Sequence, residues 1–109
     1  MCAVALFTVP SSAWSTEFTI ADDETETSAQ TLATGETGTI NSGGKLTTSA
    51  TAITATSASN ITVLNFGAIT ATGTSIHGTK LDSTSGTNTF TNSGTITTNG
   101  TYGNVIYST

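Results

Sequence analysis

His77 is the one histidine of the 109-residue chain, Cys2 its one cysteine, and Lys45 and Lys80 its only bases. Ser-His-Asp chemistry would have to run through His77, yet no Gly-x-Ser-x-Gly turn stands anywhere to present the serine. One histidine and one N-terminal cysteine supply too few donors for zinc. Glycan cleavage needs paired carboxylates, helped in β-helix enzymes by a nearby base. Asp82 beside Lys80 is the one such neighbourhood, and Lys80-Leu81-Asp82-Ser83 reads as an inserted loop. Asp22, Asp23, Glu24 and Glu26 form an acidic cluster whose spacing fits neither an EF-hand nor the calcium-binding nonapeptide repeat, so it reads as a solvated loop. No catalytic, cofactor-binding or metal-ligating residue is expected, nor any cofactor, and the chain reads as a non-enzyme.

What must position these side chains is a repeat. Thr39–Thr47, Thr62–Thr70 and Thr89–Thr97 align without a gap as Thr-apolar-x-(Asn/Ser)-x-Gly-x-(Ile/Leu)-Thr. The two apolar positions lie an even number of residues apart, so on extended chain they share a face. The glycines between them (Gly44, Gly67, Gly94), beside Ser42, Asn65 and Asn92, mark a corner where positive φ is tolerated. Each unit therefore reads as strand, tight corner, strand, followed by a third short strand. A repeat of this length predicts a solenoid, and the best fit is an all-β, right-handed parallel β-helix of about three to four coils with an N-terminal cap strand. Its interior columns are expected to be Ile40–Val63–Phe90, Leu46–Ile69–Ile96 and Ile53–Ile76–Ile106. Threonine rows are expected on the outside: Thr39–Thr62–Thr89, Thr47–Thr70–Thr97 and Thr51–Thr74–Thr101.

The composition narrows the partners. Net charge is −5 with no arginine, so the basic face that a phosphate backbone or an anionic membrane requires is missing, and nucleic acid is excluded as a partner. Residues 1–15 read as the later part of a secretory signal: Cys2 to Val9 give the apolar core, Pro10 ends it, and small residues allow cleavage after Ala13 or Ser15. Residues 16–35 read as the cap and first strands, with Glu17–Ile20 alternating polar and apolar and Thr31–Gly35 forming a short strand with a glycine turn. Residues 36–109 carry the repeats. They are expected to be C-terminally incomplete, because no capping helix, charge cluster or proline closes the solenoid.

A signal-like start, then Glu17–Thr25, Gly35–Ile40, Asn65–Thr70, Gly73–Ile76 and Asn92–Thr98, resembles the N-terminal passenger of bacterial autotransporter-type outer-membrane proteins. The resemblance covers most of residues 17–109. It implies a right-handed β-helix, export across the inner membrane, and display at the outer membrane surface or release outside the cell. It also implies a C-terminal translocator barrel, missing from these 109 residues and expected in the full-length protein. The expected role is an adhesive or structural stalk with host or environmental surface glycans or proteins as partners. The alternatives are the N-terminal part of a glycan-cleaving β-helix enzyme, or a solenoid binding ice or glycans through its threonine ladders.

Overall fold

The computed structural model describes residues 17–82, 86–100, 103 and 105–108. Residues 1–15, the proposed signal, lie outside this set, as does Thr101. Twelve short strands follow one another: β1 Phe18–Ile20, β2 Thr25–Glu26, β3 Gln30–Thr31, β4 Thr37–Ile40, β5 Lys45–Thr48, β6 Ile53–Ala55, β7 Thr62–Asn65, β8 Ala68–Ala71, β9 Thr79–Leu81, β10 Thr89–Asn92, β11 Thr95–Thr98 and β12 Ile106–Ser108. Every third strand joins the same sheet, giving sheet A (β1-β4-β7-β10), sheet B (β2-β5-β8-β11) and sheet C (β3-β6-β9-β12). All nine pairings are parallel. The chain is all-β, wound as a parallel β-helix.

Strand alternation builds the interior. β7 and β8 bury every second residue, Val63 and Asn65, then Ile69 and Ala71, as period-2 geometry requires. Leu46 stands on Ile69, and Ile96 on Ile69 from the other side. Val63 stands beneath Phe90. The core continues through Ile20, Leu32, Ile40, Ile53, Ile61 and Leu81. Phe18 faces Gly38 across β1 and β4. A Cβ at Gly38 would collide with the Phe18 ring, so a large residue and a missing side chain share one slot.

Three expected details differ. Ile40 does not stand on Val63 but on Asn65, and Gly38 takes the place opposite Val63. The cause is the corner between sheets A and B. It holds four residues after β1 and β4 but two after β7 and β10. The slip is two residues, so Ile40 keeps its inward face. Ile76 is not an interior column residue. It is half-buried in the connection from β8 to β9, and Thr79 occupies the slot between Ile53 and Ile106. Thr79 lies ten residues beyond Ile69, as Ile106 lies ten beyond Ile96, so both connections have the same length. Finally, Lys80-Leu81 is no insertion: it belongs to β9, and Leu81 is buried. The extra residues of this coil lie in 72–78.

The glycine column exists for a reason other than the expected one. Gly67 and Gly94 do not have positive φ. A Cβ on Gly67 would strike the carbonyl of Gly44, and one on Gly94 the carbonyl of Gly67. Close backbone approach between stacked corners excludes any side chain there. Positive φ appears instead at Asp23, Gly35 and Gly43. Each is the third residue of a turn closed by a backbone hydrogen bond, Glu24 to Ala21 (3.1 Å), Glu36 to Ala33 (3.1 Å) and Gly44 to Asn41 (2.8 Å).

Candidate functional site

The acidic cluster of Asp22, Asp23, Glu24 and Glu26 was expected to be a solvated loop, and several carboxylates in and around it accept backbone hydrogen bonds. Glu24 closes its turn a second time by accepting the N–H of Ala21 at 3.0 Å. Glu36 does the same for Ala33 at 2.7 Å. The shared Ala-x-x-Glu spacing at 21–24 and 33–36 was the available sequence signal. Glu17 accepts the N–H of Thr37 at 3.2 Å and Glu26 that of Ser28 at 3.3 Å. Charge-assisted acceptors of this kind satisfy corner donors that no ladder reaches. Among the described residues no group of three or more His, Cys, Asp or Glu is placed to hold a metal ion.

Lys80 and Asp82 point the same way at the end of β9 and form an ion pair of 3.3 Å. Glycoside hydrolysis needs a second carboxylate across the scissile bond. Asp82 is the only side-chain carboxylate in the sequence beyond Glu36. His77 is half-buried. Its backbone N–H donates to the Thr51 hydroxyl at 3.1 Å and its carbonyl accepts from Ala52 at 3.2 Å. The residue is thereby part of the wall between successive coils.

One expected threonine row exists as read, and a second exists with one member exchanged. On sheet B, Thr47, Thr70 and Thr97 are direct register partners on the outer face. On sheet A the row is Thr37–Thr62–Thr89; the two-residue slip moves Thr39 beside Leu64 instead. Neighbours along a row lie about 4.8 Å apart. Thr51 sits level with His77, not with Thr74. These faces offer hydroxyls and methyls with little charge, suited to many weak hydrogen bonds with an extended polar surface.

Asparagine supplies a feature that the sequence reading marked only as a corner. Asn65 turns inward and is fully buried. Its Nδ2 donates to Oδ1 of Asn92 at 2.6 Å and to the carbonyl of Thr95 at 3.1 Å. Its Oδ1 accepts the N–H of Gly67 at 3.2 Å. Asn92, one coil on, donates through Nδ2 to the carbonyl of Gly94 at 3.2 Å. The Asn-x-Gly spacing at 65–67 and 92–94 thus writes a ladder of carboxamides inside the A–B corner. No protein-family description, curated protein or solved structure matches the chain.

Proposed function

We propose that the chain is a non-catalytic β-helical passenger segment of an exported bacterial surface protein, acting as an adhesive or structural stalk at the outer membrane surface or outside the cell. The observation that carries this reading is the outer face of sheets A and B. Threonines stand there in register over successive coils, on a rod of parallel strands. A solenoid of this kind separates two points in space and repeats one weak contact along its length. Surface glycans or surface proteins are the partner class such a neutral hydroxyl face suits.

Export and adhesion need separate tests. A disulfide-dependent phosphatase fused after Thr109 becomes active only in an oxidising compartment. Activity in Gram-negative cells that disappears on deleting residues 1–15 is the expected result; an inactive, cytoplasmic fusion from the full chain refutes the export reading. For adhesion, beads carrying the purified chain are expected to bind glycan- or protein-coated surfaces. That binding should fall when Thr47, Thr70 and Thr97 are replaced together by Lys. Binding unchanged by the triple replacement removes the sheet B face from the reading.

A further inference from the structure

Phe18 is buried and Phe90 half-buried, whereas Phe66 is 42% exposed. Parity puts it there. Val63 and Asn65 face inward, so Leu64 and Phe66 face outward. Leu64 belongs to β7, which has β4 on one side and β10 on the other. Both side chains therefore stand on the lateral surface of the rod, where the outer face of sheet A runs into the A–B corner. The backbone beneath the ring is fastened: the Phe66 N–H donates to the Ile40 carbonyl at 2.8 Å, and the next N–H, of Gly67, donates to Asn65 at 3.2 Å.

Hydroxyls and an amide frame this pair. Leu64 stands between Thr39 and Thr91. Phe66 stands between Asn41 and Ser93, because Asn65 pairs with Ile40 on one side and with Asn92 on the other. Neighbours in each rank lie about 4.8 Å apart. The result is an apolar strip two side chains long, bordered on both sides by groups that donate and accept hydrogen bonds. None of these six residues is charged. Asp22, Asp23 and Glu24 sit in the corner two coils along the same edge, stacked beneath 41–44 by the bonds from Asn41 to Ile20 (2.9 Å) and from Asp23 to Gly43 (3.3 Å). Lys45 stands on sheet B in register with Ala68. Three carboxylates against one base keep the local potential negative.

From this arrangement we propose that Leu64 and Phe66 form the stacking platform for a pyranose ring of a neutral, β-linked polysaccharide. The proposal rests on the adhesive reading above and names its ligand. A pyranose with equatorial substituents has a flat face of C–H groups and a rim of hydroxyls. The C–H face covers the strip and removes its apolar surface from water. The rim hydroxyls meet Thr39 and Thr91, Asn41 and Ser93. An anionic glycan would bring its charge toward the acidic corner, so charge selects the neutral polymer. One ring on one platform is held weakly. A chain that continues along the threonine row of sheet A gains by repetition.

Affinity electrophoresis of the full chain in native gels tests this with two polymers of one β-linked backbone, neutral hydroxyethylcellulose and anionic carboxymethylcellulose. Retardation by the neutral polymer and not by the anionic one is expected. Phe66→Ala is expected to weaken that binding about tenfold or more, and Phe66→Tyr to keep it within about threefold. Far-ultraviolet spectra should not change, because the ring lies outside the core. Phe66→Trp adds a fluorophore at the platform. Its emission should shift to the blue as the neutral polymer covers it, against a wild-type background that carries Trp14 alone. The proposal is overturned by stronger retardation in the anionic polymer, by Phe66→Ala binding as the wild type does, or by an unmoved emission from the Phe66→Trp chain. Beads carrying the chain that bind protein-coated surfaces, with no retardation by hydroxyethylcellulose, overturn the platform while leaving the adhesive reading in place.

Discussion

Replacing Asn65 by Ala tests the interior ladder most directly. The side chain is fully buried and makes three hydrogen bonds, to Asn92, to the Thr95 carbonyl and from the Gly67 N–H. Their losses are unequal. Asn92 is exposed and Thr95 lies in the edge strand β11, so both regain water, at about 0.5–1.5 kcal/mol for each bond. The Gly67 N–H loses its acceptor in a tight corner, which costs about 1–3 kcal/mol. Asn65→Ala should therefore destabilise the fold by about 2–6 kcal/mol, a large share of the roughly 5–15 kcal/mol available to a small domain. Asn92→Ala is the comparison: the same residue type, one coil on and exposed, loses its bonds to Asn65 and Gly94 but leaves the Gly67 N–H its acceptor, and should cost about 1–3 kcal/mol, less than Asn65→Ala.

Urea unfolding followed by far-ultraviolet circular dichroism measures both variants. Equal midpoints would refute the inward ladder. Asn65→Asp adds a pH signature. Burial beside the Thr95 carbonyl opposes ionisation, so the folded-state pKa of the new carboxyl lies above its unfolded value of about 3.9. The folded variant then holds its proton more tightly than the unfolded chain, and its stability relative to wild type falls as pH rises above about 4. A loss relative to wild type that grows on acidification would contradict the placement.

Ile69→Asp puts a charge between Leu46 and Ile96 and should abolish cooperative thermal unfolding, whereas Ile76→Ser should cost about 1 kcal/mol or less because Ile76 lies outside the columns. Thr79 buries a hydroxyl without a hydrogen-bond partner, so Thr79→Val should raise stability by about 1 kcal/mol in the same urea assay, and a destabilised variant would show that the hydroxyl is satisfied. Gly38→Ala forces its Cβ into the Phe18 ring and should lower the melting temperature clearly. The double variant with Phe18→Leu should recover part of that loss, and strictly additive losses would show that the two residues do not share a slot.

Parity explains how much of this fold the sequence exposed. Apolar residues at even spacing around a small-residue corner identified Leu46, Ile69 and Ile96 as one column, because that spacing leaves no other common face. The same rule placed Ile40 inward, although its neighbour was misassigned. Thr79 was missed because an interior position held a polar residue, which hydropathy patterns cannot distinguish from a surface threonine. Ile76 was taken in its place because it was the nearest aliphatic. The hydrogen bonds that Glu24, Glu36, Glu26 and Glu17 accept from Ala21, Ala33, Ser28 and Thr37 depend on turn closure and on the stacking of coils, which only the fold reveals.

The variable coil length follows from the same physics. Connections between sheets B and C lengthen along the chain, and the A–B corner shortens from four residues to two. Stacking survives because each strand answers only to its direct neighbours, and each needs an inward face, not a fixed count of residues. A change of two in the corner leaves Ile40, Asn65 and Asn92 all inward; a change of one would turn a whole strand inside out and expose its aliphatics. The later coils share one offset of 27 residues, with Phe90 on Val63, Ile96 on Ile69 and Ile106 on Thr79. Insertion of one residue between Asn65 and Ala68 should therefore be far more damaging than insertion of two, and equal damage from both in the urea assay would mean that corner length, not strand parity, holds the solenoid together.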